Sequence, residues 1–184
     1  MAGCEIYAIT GIDGDQRVGE HLLEPLGDIV HFLPYDRSVS FAKNAKTMRD
    51  KIISENSATV MLLGWSIGGA MALYLANLEN CTKCISINSF FHRSQYLLTR
   101  NISIHDDDDI CIDRIGLRAK NILIIAGGRD EKIPYTNSIQ IYECLKDANN
   151  VTLCVFPHLR HSVANFPEMA RKIITMFILD KSEG

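Results

Sequence analysis

The chain has 184 residues, of which 47% are hydrophobic and 22% are charged, and its formal net charge is -3. A single domain of this length buries about 70% of its extended-chain surface and can support its own core. No apolar run approaches the roughly 18 residues that a membrane span requires, and clustered Lys and Arg, the electrostatic footprint of a nucleic-acid-binding face, are missing from the pattern.

The N-terminal segment, MAGCEIYAIT, passes almost directly into a strand-like pattern. It lacks the basic start and the apolar stretch of a secretory signal, so we expect a cytoplasmic location. We expect no nucleic-acid partner and no membrane span, and the composition leaves the oligomeric state open.

Six short apolar, β-branched runs recur along the chain and predict six buried strands. They cover residues 5–9, 28–33, 58–63, 83–87, 121–126 and 151–156. Near-continuous hydrophobicity is typical of parallel strands that are covered on both faces, and most intervening segments are long enough for crossover helices. The sequence therefore predicts an α/β fold with about six mostly parallel strands and helices on both faces.

Three of the intervening segments show apolar residues at helical spacing. The predicted stripes are Phe41, Ala45, Met48 and Ile52; Ile139, Tyr142 and Leu145; and, in a final helix over 166–179, Met169, Ile173, Met176 and Phe177. Residues 89–116 break the pattern with an aromatic stretch and an acidic run. We predict a short lid insertion there, within a single domain over 1–184.

The segment GWSIGG, Gly64 to Gly69, follows the third predicted strand and leads into a helical pattern. A serine on a sharp strand-to-helix turn presents its hydroxyl to a ligand. Gly64 and Gly68 lie two residues on either side of Ser66, where a Cβ would clash as the helix packs back onto the strand. In isolation the pattern also arises as an ordinary Gly-Ser turn, but its context favours Ser66 as a nucleophile.

Two backbone amides are candidates for an oxyanion hole near this serine. The amide of Ile67 begins the helix, whose positive dipole end points at the developing charge. The second candidate is the amide of Ile12, in the loop TGIDG that follows the first strand. A donor of this kind lowers the barrier by about 3 kcal/mol.

An acid and a base follow the serine in the order Ser, Asp, His, each after a later strand. Asp130 lies in the turn GGRDEKIP after the fifth strand, with Glu131 as the alternative acid. His161 lies in PHLRHSV after the sixth strand, and His158 is the alternative base. We favour His161 because it is farther into the loop, whereas His158 leaves the strand directly.

These three motifs in this order resemble the α/β-hydrolase superfamily over nearly the whole chain. The resemblance implies a minimal α/β-hydrolase fold and hydrolysis of a carboxylic ester or thioester through an acyl-enzyme, with Ser66, His161 and Asp130 as the catalytic triad. GWSIGG in particular resembles the esterases that cleave the methyl ester of pimeloyl-acyl-carrier protein. No cofactor and no metal ion are expected for this chemistry.

The expected partner is a small-molecule acyl ester or thioester, either free or bound to a carrier protein. The substrate-binding candidates are Trp65, Phe90, Phe91 and Tyr96. An aromatic cluster under a short lid is equally often plain core, so both interpretations of Phe90, Phe91 and Tyr96 stay open.

Two other classes of protein compete with the hydrolase. One is a non-catalytic binding protein that keeps the hydrolase fold without turnover. The other is a thiol or metal protein based on the pair Cys81 and Cys84, although no second ligand pair at zinc-binding spacing follows. We interpret the cysteine pair as structural.

Overall fold

A computed structural model describes residues 4–14, 16–90, 117–147 and 149–180 of the chain, and in it six strands form one sheet. The strands are β1 Cys4–Ile9, β2 Val30–Leu33, β3 Thr59–Trp65, β4 Cys81–Ile87, β5 Asn121–Gly127 and β6 Asn150–Phe156. Their order is β2-β1-β3-β4-β5-β6, and each neighbouring pair is parallel. The predicted parallel sheet is confirmed.

Two strand boundaries differ from the prediction in ways that matter for the site. A 3-10 helix occupies Glu24–Ile29, so β2 begins at Val30 and not at residue 28. β3 extends two residues beyond the predicted end and finishes at Trp65. The third strand therefore runs directly into Ser66.

In the described ranges, five α-helices cover the two faces of the sheet. They are α1 Arg17–Leu23, α2 Phe41–Ser54, α3 Ile67–Leu75, α4 Tyr135–Leu145 and α5 Glu168–Leu179. Because side chains alternate along a strand, Tyr7 and Ile9 of β1 pack with α2, α3 and α4, whereas Ile6 and Ala8 pack with α1 and α5. The predicted placement of helices on both faces is confirmed.

The predicted stripe of α2 is confirmed, since all four of its residues are buried. Ser40 caps this helix, with its hydroxyl accepting a hydrogen bond from the Lys43 amide at 3.2 Å. The stripe of α4 is wrong at Ile139, which is 37% exposed, while Ile141 and Leu145 are buried. The buried stripe of α4 thus passes through Ile141 and not through Ile139.

The final helix docks as predicted, but on a different face. Ala170, Ile174 and Ile178, spaced four residues apart, are buried, whereas Met169 and Met176 are 63% and 70% exposed. The prediction was wrong at Met169 and Met176, whereas Ile173 and Phe177 are half-buried and pack against the core. The error arises because α5 carries apolar residues around much of its circumference. Only the position of the helix over the sheet selects which of them are buried.

Lys83 of β4 is a buried lysine that joins the sheet to the end of α5. Its ammonium group donates to the carbonyl oxygens of Phe177 at 2.7 Å, of Ile178 at 3.4 Å and of Asp180. The last carbonyls of a helix have no partner within the helix, so the buried charge satisfies them and holds α5 on the sheet.

The predicted lid covers residues 89–116, and only Ser89 and Phe90 of this range are described. The lid and the single-domain span 1–184 therefore stay predictions. Among the helices in the described ranges, none has the length and apolar character needed to cross a bilayer.

Candidate active site

Ser66 lies between the end of β3 and the start of α3, in a strained backbone conformation with φ 58° and ψ -128°. A side chain at positive φ is disfavoured, so the surrounding contacts must hold the turn. The Ser66 amide donates to the carbonyl oxygen of Ile87 at 2.9 Å, and the Ser89 hydroxyl donates to the carbonyl oxygen of Ser66 at 3.0 Å. Both contacts anchor the turn to the end of β4.

Glycines allow the close approach of α3 to β3 and β1. A Cβ on Gly64 would lie 2.0 Å from the carbonyl oxygen of Gly68. A Cβ on Gly68 would lie 2.3 Å from the carbonyl oxygens of both Ile9 and Thr10. These distances are well below van der Waals contact with backbone atoms that cannot move aside, so the predicted steric role of the two glycines is confirmed.

The structure brings Ser66, His161 and Asp130 into direct contact. His161 Nε2 lies 3.0 Å from Ser66 Oγ, and His161 Nδ1 lies 2.8 Å from Asp130 Oδ2. An ionised carboxylate only accepts hydrogen bonds, so this contact places the imidazole proton on Nδ1 and leaves Nε2 free to accept from the serine hydroxyl. The Asp130 side chain is 1% exposed and the His161 side chain 9%, which shields both contacts from water.

The turn after β5 holds the Asp130 carboxylate in one orientation. Asp130 Oδ1 accepts hydrogen bonds from the amides of Lys132 and Ile133, each at 2.8 Å. Its other oxygen, Oδ2, is thereby directed to the imidazole. The carboxylate thus shapes its own turn with one oxygen and orients the histidine with the other.

The alternative acid and base do not occupy the equivalent positions. Glu131 is exposed, and hydrogen bonds from its own main-chain amide and from that of His161 lower the pKa of its carboxyl group. Its carboxylate therefore interacts with the histidine main chain, while the imidazole bonds to Asp130. His158 is exposed.

Asn88 is a residue of the site that the sequence did not single out. Its side chain is 2% exposed, and its Nδ2 donates to the carbonyl oxygens of Arg160 at 3.0 Å and His161 at 2.9 Å. Its Oδ1 accepts from the amide of Gly127 at 2.7 Å. One buried amide group therefore ties the loop of Asp130 to the loop of His161.

Two features of Asn88, its place in the chain and its backbone conformation, explain why an asparagine occupies this position. It directly follows β4, at the edge of the sheet where the other site residues lie, and it has a positive φ of 47°. Asparagine tolerates this conformation better than other residues with side chains. An asparagine directly after a buried parallel strand is therefore a signal that could have been used.

A pocket of about 330 Å³ opens beside the serine hydroxyl. It is lined by Gly11, Ile12, Asp13, Arg37, Trp65, Ser66, Lys132, His161, Ser162 and Val163. The predicted residues Ile12 and Trp65 thus reach it. Within the described residues, the backbone amides of Ile12 and Ile67 have no hydrogen-bond partner. Ile12 lines the pocket, whereas Ile67 is fully buried at the start of α3.

Phe90, the one aromatic candidate of the insertion that the structure describes, does not line this pocket. Phe90 is fully buried within the core cluster beside α2 and α3, as in the core interpretation of the aromatic stretch. This burial favours the packing interpretation, and the role of Phe90 in substrate binding stays a prediction. Phe91 and Tyr96 lie outside the described residues.

The cysteine pair lies on β4, and both thiols are buried. Burial raises the pKa of Cys81 to about 12 and raises that of Cys84 well above its ordinary value. A thiolate is the reactive form of cysteine, so these environments disfavour nucleophilic or ligand chemistry. In the part of the chain that the structure describes, no group of three or more His, Cys, Asp or Glu side chains could hold a metal ion.

No protein-family model and no curated protein sequence matches the chain, but solved structures do. Est1E from Butyrivibrio proteoclasticus matches with a TM-score of 0.71 and 17% identity, over 97% of this chain and 88% of that one. The Pyrococcus furiosus esterase Pf2001 matches with a TM-score of 0.74 and 16% identity, over 96% and 80%. The chain has the α/β-hydrolase fold.

An acylaminoacyl peptidase also matches, with a TM-score of 0.71 and 16% identity, over 100% of this chain but 39% of that one. In the α/β-hydrolase fold, as in other open parallel sheets, ligands bind at the carboxyl ends of the strands. Here Ser66, Asp130 and His161 follow β3, β5 and β6 at that edge. The fold therefore gathers the three side chains and the pocket at one place.

Proposed function

We propose that this protein is a serine hydrolase that cleaves a carboxylic ester or thioester through an acyl-enzyme intermediate. The observation that carries the proposal is the continuous hydrogen-bonded chain from Ser66 Oγ through the His161 imidazole to Asp130. In the proposed roles Ser66 is the nucleophile, His161 is the general base and Asp130 orients the imidazole and stabilises its charged form.

Acylation begins when His161 Nε2 takes the hydroxyl proton as Ser66 Oγ bonds to the substrate carbonyl carbon. The carbonyl oxygen becomes an oxyanion, which the amides of Ile12 and Ile67 would stabilise. The tetrahedral intermediate then expels the alcohol or thiol, which takes its proton from the imidazolium. The products of this half-reaction are the acyl-serine ester and the free leaving group.

Deacylation repeats these steps with water as the nucleophile. His161 removes a proton from water, the hydroxide oxygen bonds to the acyl carbon, and Ser66 leaves with the proton from the imidazolium. The carboxylic acid is released and the enzyme returns to its starting state. No cofactor or metal ion takes part in this sequence.

The names of the similar structures support acyl-transfer chemistry, since Est1E and Pf2001 are called esterases and the third protein an acylaminoacyl peptidase. We propose a small-molecule ester or thioester as the substrate and the cytoplasm as the location. The resemblance of GWSIGG makes the methyl ester of pimeloyl-acyl-carrier protein the carrier-bound substrate to assay beside free esters.

The proposal is tested with purified protein and p-nitrophenyl butyrate. Ser66→Ala and His161→Ala should each lower kcat by about 10⁴ or more, and a fluorophosphonate probe should label Ser66. The matched controls, Ser54→Ala and His158→Ala, change the same residue types at exposed positions outside the site and should retain wild-type kcat. Circular dichroism confirms that each variant is folded.

An active Ser66→Ala protein, or a fluorophosphonate label on another serine, would disprove the assignment. A folded wild-type protein that neither turns over esters nor accepts the label would instead favour the non-catalytic binding protein.

A further inference from the structure

The pocket beside Ser66 contains two cationic side chains that the proposed reaction does not use. Arg37 comes from the loop after β2 and Lys132 from the turn after β5, and both line the pocket together with Ser66 and His161. Among the described residues, neither the guanidinium group nor the ammonium group has an ion pair or hydrogen bond. Two separate loops therefore bring positive charge to one small cavity, where the carboxylate of Glu131 acts electrostatically on its neighbour Lys132 without an ion pair.

Hydrogen bonds hold the main chain on both sides of Arg37. Asn44, buried on α2, accepts a hydrogen bond from the Asp36 amide at 3.0 Å and donates to the Asp36 carbonyl oxygen at 2.8 Å. Asp36 Oδ1 in turn accepts from the amide and hydroxyl of Ser38, at 2.8 and 2.6 Å. Arg37 thus extends from a loop whose neighbouring residues are held by a buried side chain.

Lys132 is held in a similar way, because its amide donates to the carboxylate of Asp130 at 2.8 Å. The carboxylate that orients His161 therefore also positions the lysine backbone at the pocket. A cationic side chain on a backbone held by hydrogen bonds loses less conformational freedom on binding a ligand than one on a mobile loop.

The charge balance of the pocket differs from that of the whole protein. Of the charged side chains that line the pocket in the described ranges, Arg37 and Lys132 are basic and Asp13 is acidic, whereas the chain as a whole has a formal net charge of -3. A cleft that concentrates one sign of charge raises the local concentration of the opposite ion and orients it. The proposed reaction assigns the oxyanion to the backbone amides of Ile12 and Ile67, which leaves the cations for another part of the substrate.

We propose that the substrate is a small ester or thioester with a negatively charged group near the scissile bond, bound by Arg37 and Lys132. This inference rests on the proposed function, and it names the substrate class of the same site. A volume of about 330 Å³ is at the lower end of the range for small-molecule pockets, which favours a short acyl chain or leaving group. Half-esters of short dicarboxylic acids and esters of carboxylated alcohols or phenols have this chemistry.

Two arms of one experiment locate the charge. In the acyl arm, hydrolysis of monomethyl glutarate is compared with that of methyl hexanoate in a pH-stat. In the leaving-group arm, 4-acetoxybenzoate is compared with 4-tolyl acetate by absorbance. In at least one arm, kcat/KM should be about tenfold or more higher for the anionic ester than for its neutral counterpart. Added salt should reduce this anionic-to-neutral ratio of kcat/KM.

The variants test whether the two cations cause the preference. Arg37→Gln and Lys132→Gln should each lower the anionic-to-neutral ratio by about tenfold, mainly through KM, and Arg37→Lys should restore part of it. The matched control is Arg49→Gln, which removes the same charge from an exposed position on α2 and should keep the wild-type ratio.

Fluorophosphonate labelling of Ser66 separates the two possible failures. Labelling of Ser66 together with cleavage of neutral esters would show that the proposed function holds. In that case, an anionic-to-neutral ratio of kcat/KM of one or less in both arms would overturn the charge preference alone. A ratio that neither glutamine variant changes would do the same. If Ser66 stays unlabelled and no ester is cleaved, the proposed function is wrong and this inference is wrong with it.

Discussion

The side-chain amide of Asn88 binds the main chain of His161, with Nδ2 donating to the carbonyl oxygen at 2.9 Å. The same side chain accepts a hydrogen bond from the Gly127 amide at 2.7 Å. The end of β4 thus holds the two loops that leave β5 and β6 and carry Asp130 and His161. We expect the geometry of the proposed triad to depend on this buried amide.

Replacing Asn88 should impair catalysis more than substrate binding. Asn88→Gly keeps a residue that tolerates the positive φ but removes all three side-chain hydrogen bonds. A displacement of His161 of about 1 Å can lower the rate about 100-fold. We expect a loss of that size in kcat with little change in KM, and a shifted pH profile of kcat/KM, both measured by steady-state kinetics.

Asn56 provides a matched control for this variant. It also has a positive φ, 52°, but it is exposed after α2, before the start of β3, whereas Ser66 follows the other end of that strand. Asn56→Gly should therefore keep wild-type kcat and pH profile. If Asn88→Gly changed the melting temperature alone and left kcat and the pH profile as in the wild type, Asn88 would have only a structural role.

Asp130→Asn should lower kcat by about 10⁴ while preserving the fold. The asparagine side-chain oxygen can still accept from the amides of Lys132 and Ile133, so the turn keeps its hydrogen bonds. The introduced amide group, however, would donate to His161 Nδ1 and favour the wrong tautomer. Glu131→Gln is the neighbouring control, and a loss of activity in Glu131→Gln that exceeded the loss in Asp130→Asn would reverse the choice of acid.

Lys83→Met should lower the free energy of unfolding by about 1.5–3 kcal/mol, the usual contribution of hydrogen bonds to a charged group. The methionine fills similar volume but leaves the carbonyl oxygens of Phe177 and Ile178 without the ammonium donor. Chemical denaturation measures the loss of stability. The rates of backbone amide hydrogen exchange should increase more in α5 than in the other helices. The control is Lys172→Met at an exposed position of that helix, and equal stability of the two variants would contradict the anchoring role.

The thiols should differ sharply in their reactivity toward iodoacetamide in the native state. Burial raises the pKa of Cys81 to about 12 and that of Cys84 well above its ordinary value, so at pH 8 both remain protonated as well as inaccessible. Cys144 is exposed and should react before the other thiols that the structure describes. Mass spectrometry of peptides after timed labelling checks this order, and early modification of Cys81 or Cys84 would revive the thiol-based alternative.

The strands and the candidate triad were predictable from local patterns. Buried parallel strands have continuous apolar sequences, and each site residue lies in the turn or loop that follows such a strand. The steric demand of the turn at Ser66 is likewise local, because Gly64 and Gly68 contact each other across four residues.

Helix faces and long-range contacts were less predictable. Met169 and Met176 are apolar and still exposed, because the docking of α5 on the sheet selects a stripe that the apolar pattern alone does not distinguish. Asn88 was missed because its partners, Gly127 and His161, are 39 and 73 residues away in the chain.

By itself, the sequence determined the order of the candidate side chains and the sheet edge at which they lie. The tertiary structure alone decided that they touch. β3 and β6 are separated by β4 and β5, so three spacings of about 4.8 Å, or about 14 Å in all, lie between the strands that precede Ser66 and His161. The loop after β6 folds back over β5, where the amide of Arg129 donates to the carbonyl oxygen of Leu159 at 3.0 Å, and this packing carries the imidazole across to the serine.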